Sequence, residues 1–116
     1  MRRKQATSTD ISHAQLTVAA VALEFGVPEL DLNARLKGSA EVCFARQVSM
    51  YLLHVIFNIN LTRTAQMFSR DRSTVSHACN VVEDSRDDPI FNAKLERLEG
   101  FLGQAPHVPT YEKRAA

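Results

Sequence analysis

An almost continuous apolar stretch, residues 41–57, limits the folds open to this chain. Apolar side chains would lie on nearly every side of the helix that this stretch forms, which is typical of a helix buried on most sides. A buried strand also reads as a continuous apolar run, but such strands are usually about 4–8 residues long. The stretch therefore predicts a central buried helix that ends near Asn58.

A first helix is predicted over residues 12–25. Ser12 and Gln15 have the spacing of a capping box, and Gly26 provides the residue that tolerates a left-handed conformation after the last turn. Residues spaced by three and four positions predict the apolar face of this helix. They are Leu16, Ala19, Ala20 and Leu23.

A last helix is predicted to begin at Pro89, with Asp88 as its cap, and to end at Gly103. Its expected apolar face consists of Phe91, Leu95, Leu98 and Leu102. Residues 27–36 are expected to form a loop with one helical turn, and residues 35–39 an exposed segment. The chain thus divides into a flexible basic N-terminus (1–10), one helical domain (11–103) and a loose tail (104–116), with about five helices in all.

Two short helices joined by a tight turn are predicted after the apolar stretch. The first covers residues 62–68, the turn lies at 69–70, and Asp71 caps the second helix. A helix-turn-helix needs a small residue, a turn residue and an apolar residue at fixed offsets, and Ala65, Ser69 and Val75 have them. An all-helical bundle without a role in DNA binding could carry the same three residues.

The second short helix has a polar face that suits a DNA groove. Its core stripe is Val75, Ala78, Cys79 and Val82, and its opposite stripe is Ser73, Ser76, His77 and Asn80, with Arg72 at the N-terminal end. Residues 35–79 contain six basic and two acidic side chains, whereas residues 80–102 contain three basic and six acidic ones. The formal net charge of +1 therefore hides a basic centre that favours a polyanion.

The two central segments resemble a known family. Residues 70–78, Arg-Asp-Arg-Ser-Thr-Val-Ser-His-Ala, resemble the RDHSTVxHA signature in the DNA-binding domain of the bacterial chromosomal replication initiator DnaA. Residues 45–53 are similar to the PRQxAMYL element of that family, and the resemblance extends over about residues 11–102. It implies an all-α, Trp repressor-like fold, built around a helix-turn-helix, that reads a short asymmetric box in double-stranded DNA.

The resemblance also implies roles for individual residues. Arg46 matches the arginine that enters the minor groove, and we expect its side chain to extend outward from the start of the buried helix. Gln47 is expected at a phosphate, Asp71, Ser73, Thr74 and His77 in the major groove, and Arg63 and Arg70 at phosphates. The full set of expected DNA-binding residues is Arg35, Lys37, Arg46, Gln47, Thr62, Arg63, Arg70, Asp71, Arg72, Ser73, Thr74, Ser76, His77 and Asn80.

Three departures from the family pattern change these expectations. Arg72 replaces the family histidine, the turn after Phe68 is one residue shorter, and the loop before Arg46 keeps only Arg35 and Lys37 as basic residues. Fewer phosphate contacts mean less counterion release, so affinity should be lower unless a homodimer or an N-terminal arm of Arg2, Arg3 and Lys4 supports it. The depleted loop also leaves open a degenerate domain that binds a replication or regulatory protein.

Other functions have weaker support in the sequence. None of the four glycines is followed by Lys, as a P-loop requires, so we expect a regulator of replication or transcription that acts without ATP hydrolysis. No enzyme activity and no cofactor are expected. Cys43, His54, His77 and Cys79 could be taken for zinc ligands, but His77 and Cys79 would point about 200° apart on one helix. The composition favours a cytoplasmic protein with reduced thiols and no membrane partner.

Overall fold

A computed structural model describes residues 7–105, and these residues form six helices and no strand. The helices are α1 (Ser8–Phe25), α2 (Glu29–Leu32), α3 (Ala40–Val55), α4 (Leu61–Phe68), α5 (Arg72–Ser85) and α6 (Pro89–Gly103). The predicted all-α fold with a helix-turn-helix is confirmed, and the single turn expected before the central helix is α2. The N-terminal basic residues 2–4 and the tail beyond residue 105 lie outside the described residues.

The central helix α3 packs against α1, α2, α4 and α5. Ser39 caps it by accepting a hydrogen bond from the amide of Val42 at 3.2 Å. Consecutive residues 48–53 are all buried, as predicted from the apolar stretch. Burial on every side explains why this segment is apolar throughout rather than amphipathic.

The first helix begins earlier than predicted and buries a different face. Thr7, and not Ser12, is the N-cap, and it forms a capping box with Asp10, so the helix extends into the segment assigned to a flexible terminus. Leu23 is 86% exposed, which contradicts the predicted stripe. The buried residues are Asp10, Thr17, Val18, Val21 and Ala22. Because α1 carries apolar residues on two faces, spacing alone does not determine which face packs on α3.

The last helix agrees with its prediction. Asp88 accepts a hydrogen bond from the amide of Ile90 at 3.0 Å, and Pro89 occupies the first turn. The predicted apolar residues Phe91, Leu95, Leu98 and Leu102 are all buried. These residues join the core, and α6 packs against α1.

A polar network ties α3, α5 and α6 together. The Tyr51 hydroxyl donates to Glu83 at 2.7 Å and accepts from Arg86 at 3.1 Å. Arg86 in turn binds both carboxylate oxygens of Glu99, at 2.9 and 3.1 Å, and its Nε donates to Asn92 at 2.8 Å. Burial and the hydrogen bond to Glu83 raise the pKa of Tyr51 to about 12. The network fixes the C-terminal half of α5 and leaves its N-terminal half outside these contacts.

Candidate nucleic-acid interface

The helix-turn-helix consists of α4, a turn at 69–71 and α5. Ala65 and Val75 are buried where the two helices meet, at 3% and 0% exposure. Ser69 adopts a left-handed conformation with φ of 54°, and its amide donates to the carbonyls of Ala65 and Gln66. The three positions predicted from their offsets therefore have the predicted roles: close approach, turn and packing residue.

The outer face of α5 is open to solvent at its N-terminal half. Asp71 is the N-cap by backbone conformation, but its side chain makes no capping hydrogen bond. Ser76 is half-buried, and the other predicted residues of this face are exposed. The exposed ones are Asp71, Arg72, Ser73, Thr74, His77 and Asn80. Polar side chains on the exposed face of a helix can approach base edges in a major groove.

The electrostatics of α5 favour an approach by its N-terminal end. Arg72 lies in the first turn, whereas Glu83 and Asp84 lie in the last turn, about 17 Å further along the helix axis. The N-terminal end also carries the positive pole of the helix dipole. Phosphates are therefore attracted to one end of α5 and repelled by the other.

A basic depression of about 300 Å³ lies next to this end of α5. The polar residues lining it come from the loop before α3, from α3 itself, from the turn before α5 and from the first turn of α5. They are Arg35, Lys37, Arg46, Gln47, Arg70 and Thr74. Arg35 and Lys37 are exposed and Gln47 is half-buried. All six were predicted as site residues. The fold brings them together, although Arg35 and Thr74 are 39 positions apart in sequence.

Arg46 does not extend outward, contrary to the sequence expectation. Its side chain is enclosed, with the whole residue 3% exposed. The guanidinium donates to four backbone carbonyls of the preceding loop. The distances are 2.8 Å to Asp31, 3.0 Å to Leu32, 3.2 Å to Leu36 and 3.0 Å to Lys37. Two of these carbonyls belong to the end of α2 and two to the irregular segment that follows it, where no strand or long helix uses the backbone acceptors.

Arg70 binds the same loop from the other side. Its guanidinium donates to the carbonyl of Phe68 at 2.9 Å and to that of Ala34 at 3.2 Å. Burial lowers the pKa of Arg46, and the nearby charge of Arg70 lowers it further. The two arginines therefore concentrate positive charge in the wall of the depression. The carbonyls that hold them were not predicted, because a loop without periodicity gives no signal of where its acceptors point.

Thr62 and Arg63 lie on α4, away from the depression. Thr62 is exposed. The guanidinium of Arg63, expected at a phosphate, is 2.7 Å from the carboxylate of Asp10 in α1. Its Nε is buried without a hydrogen-bond partner among the described residues. Arg63 thus connects two helices, a role that the sequence analysis did not anticipate.

The remaining candidate groups do not form a second site within residues 7–105. No set of three His, Cys, Asp or Glu side chains there is close enough to hold a metal ion. Cys43 and Cys79 are half-buried free thiols, and burial raises the pKa of Cys79. None of the described helices is long and apolar enough to cross a membrane.

Comparison with known proteins gives one family. The sequence model described as "Bacterial dnaA protein helix-turn-helix" matches residues 15–82, from α1 to the C-terminal part of α5. The chromosomal replication initiator protein DnaA of Lachnoclostridium phytofermentans is 39% identical over 70 residues, which cover 59% of this chain and 16% of that protein. The corresponding protein of Symbiobacterium thermophilum is 32% identical over 90 residues, which cover 72% of this chain and 19% of that protein. The chain spans less than a fifth of these relatives' length.

Proposed function

Because the chain belongs to the bacterial DnaA helix-turn-helix family, we propose that it is a sequence-specific double-stranded DNA-binding protein that recognises sites related to initiator boxes. The observation that carries this proposal is the exposed N-terminal half of α5 beside a basic depression. Base-reading side chains and phosphate-binding side chains there share one surface, as specific recognition requires.

The proposed contacts divide by chemistry. Arg72 is placed to bind guanine through O6 and N7, the Thr74 methyl can contact thymine, and Asp71 can accept from cytosine N4. Ser73, Ser76, His77 and Asn80 add polar contacts along the same helix face. Phosphates of the DNA strand beside the groove are bound by Arg35, Lys37 and Gln47. Thr62 is exposed on α4, outside the depression, and its hydroxyl is assigned to a phosphate contact.

In the proposed role, the protein binds chromosomal DNA in the cytoplasm. It acts there as a competitor, a repressor or an architectural factor in replication or transcription. None of these outcomes requires ATP hydrolysis by the domain itself. The initiator proteins are similar to this chain over less than a fifth of their length, so no activity of their remaining parts is assigned to it.

A selection from a random duplex library tests the proposal. Wild type should enrich a single asymmetric motif and bind it at least 10³-fold more tightly than random duplex, the lower end of the usual range for specific DNA binding. The matched control is Arg97→Ala, which removes an exposed guanidinium on α6 that pairs with Glu24, away from the depression. It should enrich the same motif.

The salt dependence of binding to random duplex separates this proposal from a protein-interaction module. Each phosphate contact contributes about −0.9 to the slope of log K against log salt. The proposed phosphate contacts of Arg35, Lys37 and Gln47 include two full charges, so we expect a slope of about −2 or steeper. If the protein enriches no motif and binds random duplex with no salt dependence, the proposal is wrong and a protein partner becomes the better assignment.

A further inference from the structure

The loop that precedes α3 is held by two arginines and presents two further basic side chains, one arginine and one lysine, to solvent. Arg46 and Arg70 together donate to five carbonyls between Asp31 and Lys37. In the same segment the side chains of Arg35 and Lys37 are exposed and line the depression beside α5. The backbone of this loop is thus fixed from the inside, while its charges face outward.

The geometry points to Arg46 as a positioning residue for DNA binding: its buried guanidinium holds the loop so that Arg35 and Lys37 lie beside the N-terminus of α5, and it stays in the protein when DNA is bound. This inference rests on the proposed function. It differs from the expectation that Arg46 itself enters a minor groove.

Two physical arguments favour a guanidinium that stays. Moving Arg46 into a groove would break four hydrogen bonds and leave the carbonyls of residues 31, 32, 36 and 37 without their charged donor. Hydrogen bonds from a charged donor are among the stronger ones in proteins, and without Arg46 the carbonyl of the fully buried Leu32 would carry a desolvation cost. The loop would then lose the contacts that fix Arg35 and Lys37.

The backbone next to these cations adopts a conformation that Gly38 permits. Its φ is 81°, in the left-handed region, and a Cβ there would lie 3.0 Å from a methyl carbon of Val42. The chain therefore turns sharply between Lys37 and the Ser39 cap of α3. Gly38 permits this turn, and the hydrogen bonds from Arg46 and Arg70 hold the carbonyls of the segment, so the places of Arg35 and Lys37 are set by the protein rather than by DNA.

A double-mutant cycle distinguishes positioning from direct contact. Its four proteins are wild type, Arg46→Ala, the double variant Arg35→Ala/Lys37→Ala, and the triple variant, each measured on the preferred duplex. In the wild-type background Arg46→Ala should weaken binding roughly tenfold or more. In the Arg35→Ala/Lys37→Ala background the same change should weaken binding less than about twofold, because the groups that Arg46 positions are already absent. Equal losses in both backgrounds would overturn the inference.

Arg46→Lys tests whether the fork of donors or only the charge is needed. Lysine keeps the charge but lacks the planar arrangement of donors, so it cannot hold four separated carbonyls in the same way. We expect Arg46→Lys to bind DNA as poorly as Arg46→Ala, with a salt slope smaller in magnitude than that of wild type by about 1.8, the value for two phosphate contacts. Full recovery of affinity by lysine would contradict the positioning role.

A measurement on wild type covers the case in which Arg46 variants do not fold. Nuclear magnetic resonance follows the Nε–H of Arg46, which donates to Leu32 at 3.0 Å. Its exchange with water should stay slow when the preferred duplex is added, whereas insertion into a groove would break this bond and change its shift and exchange rate. A wild-type protein that binds no duplex would refute the proposed function and this inference together. Binding with a lost Leu32 bond would refute this inference alone.

Discussion

The guanidinium of Arg63 in α4 lies 2.7 Å from the carboxylate of Asp10 in α1, and both side chains are mostly enclosed, at 26% and 10% exposure. The same Asp10 oxygen accepts the amide of Thr7 at 3.2 Å, so one carboxylate serves both the cap of α1 and the link to α4. The first helix of the helix-turn-helix is therefore anchored to the N-terminal helix, 53 positions earlier in the sequence.

Arg63→Ala should lower the free energy of unfolding by about 1–3 kcal/mol, because it leaves a mostly buried carboxylate without its charged partner. Chemical denaturation measures this loss, and Arg97→Ala, which removes a mostly exposed arginine from an ion pair, should cost less than about 1 kcal/mol. DNA affinity of the folded Arg63→Ala protein should be unchanged on every sequence. A smaller salt slope in that variant would instead show that Arg63 reaches a phosphate.

Arg72→Ala should change base preference at one or two positions of the selected motif, at a cost of about 1–3 kcal/mol on the best duplex. The reason is the exposed place of Arg72 in the first turn of α5. Lys37→Ala is the matched control, since it removes one charge from the depression and should weaken all duplexes alike. Equal losses on specific and random duplex for Arg72→Ala would contradict its role in base recognition.

Ser69→Gly should stabilise the fold by about 0.5–1 kcal/mol. Ser69 has φ of 54°, and a side chain in the left-handed region costs energy that glycine avoids, only partly offset by glycine's greater chain entropy. Thermal unfolding checks the sign. Ser85→Gly, in the last turn of α5, is the control and should destabilise, because Ser85 has a helical backbone and donates to the Val81 carbonyl.

Tyr51 should ionise with a pKa of about 12, against about 10 for an exposed tyrosine. The raised value means that the neutral phenol is favoured in the folded state. Its contribution to stability is therefore complete below about pH 10 and is lost as the pH rises towards 12. The phenolate absorbance of wild type minus that of Tyr51→Phe gives this titration. A difference curve centred near pH 10 would mean that the contacts to Glu83 and Arg86 do not hold in solution.

The parts of the fold with one clear periodic pattern could be predicted from sequence. The apolar residues of α3 and α6, and the buried Val75 and Ala78 of α5, lie where their spacing indicates. The face of α1 could not be predicted, because Leu23 and Val21 both belong to stripes with helical spacing and only packing on α3 selects between them. Two capping signals, at Thr7 and Ser12, compete in the same way.

The candidate site was predictable as far as its residues lie on α5. The exposed positions of Arg72, Ser73 and His77 follow from being opposite the core stripe. The direction of Arg46 does not, because it depends on carbonyls 9 to 15 positions earlier in an irregular loop. Side chains with five donors bind whatever acceptors the tertiary structure offers, and local patterns do not reveal these.

Side-chain hydrogen bonds hold the C-terminal half of α5, whereas the N-terminal half, the open half, faces solvent. Glu83 is tied to Tyr51, and Arg86, which follows α5, to Glu99, whereas the side chains of Arg72, Ser73 and His77 make no hydrogen bond to the residues described here. Under the proposed function, exchanging the residues of the open half should change the target sequence while the folding stability is retained. Randomising these three positions should then give a set of variants with different target sequences on one unchanged scaffold.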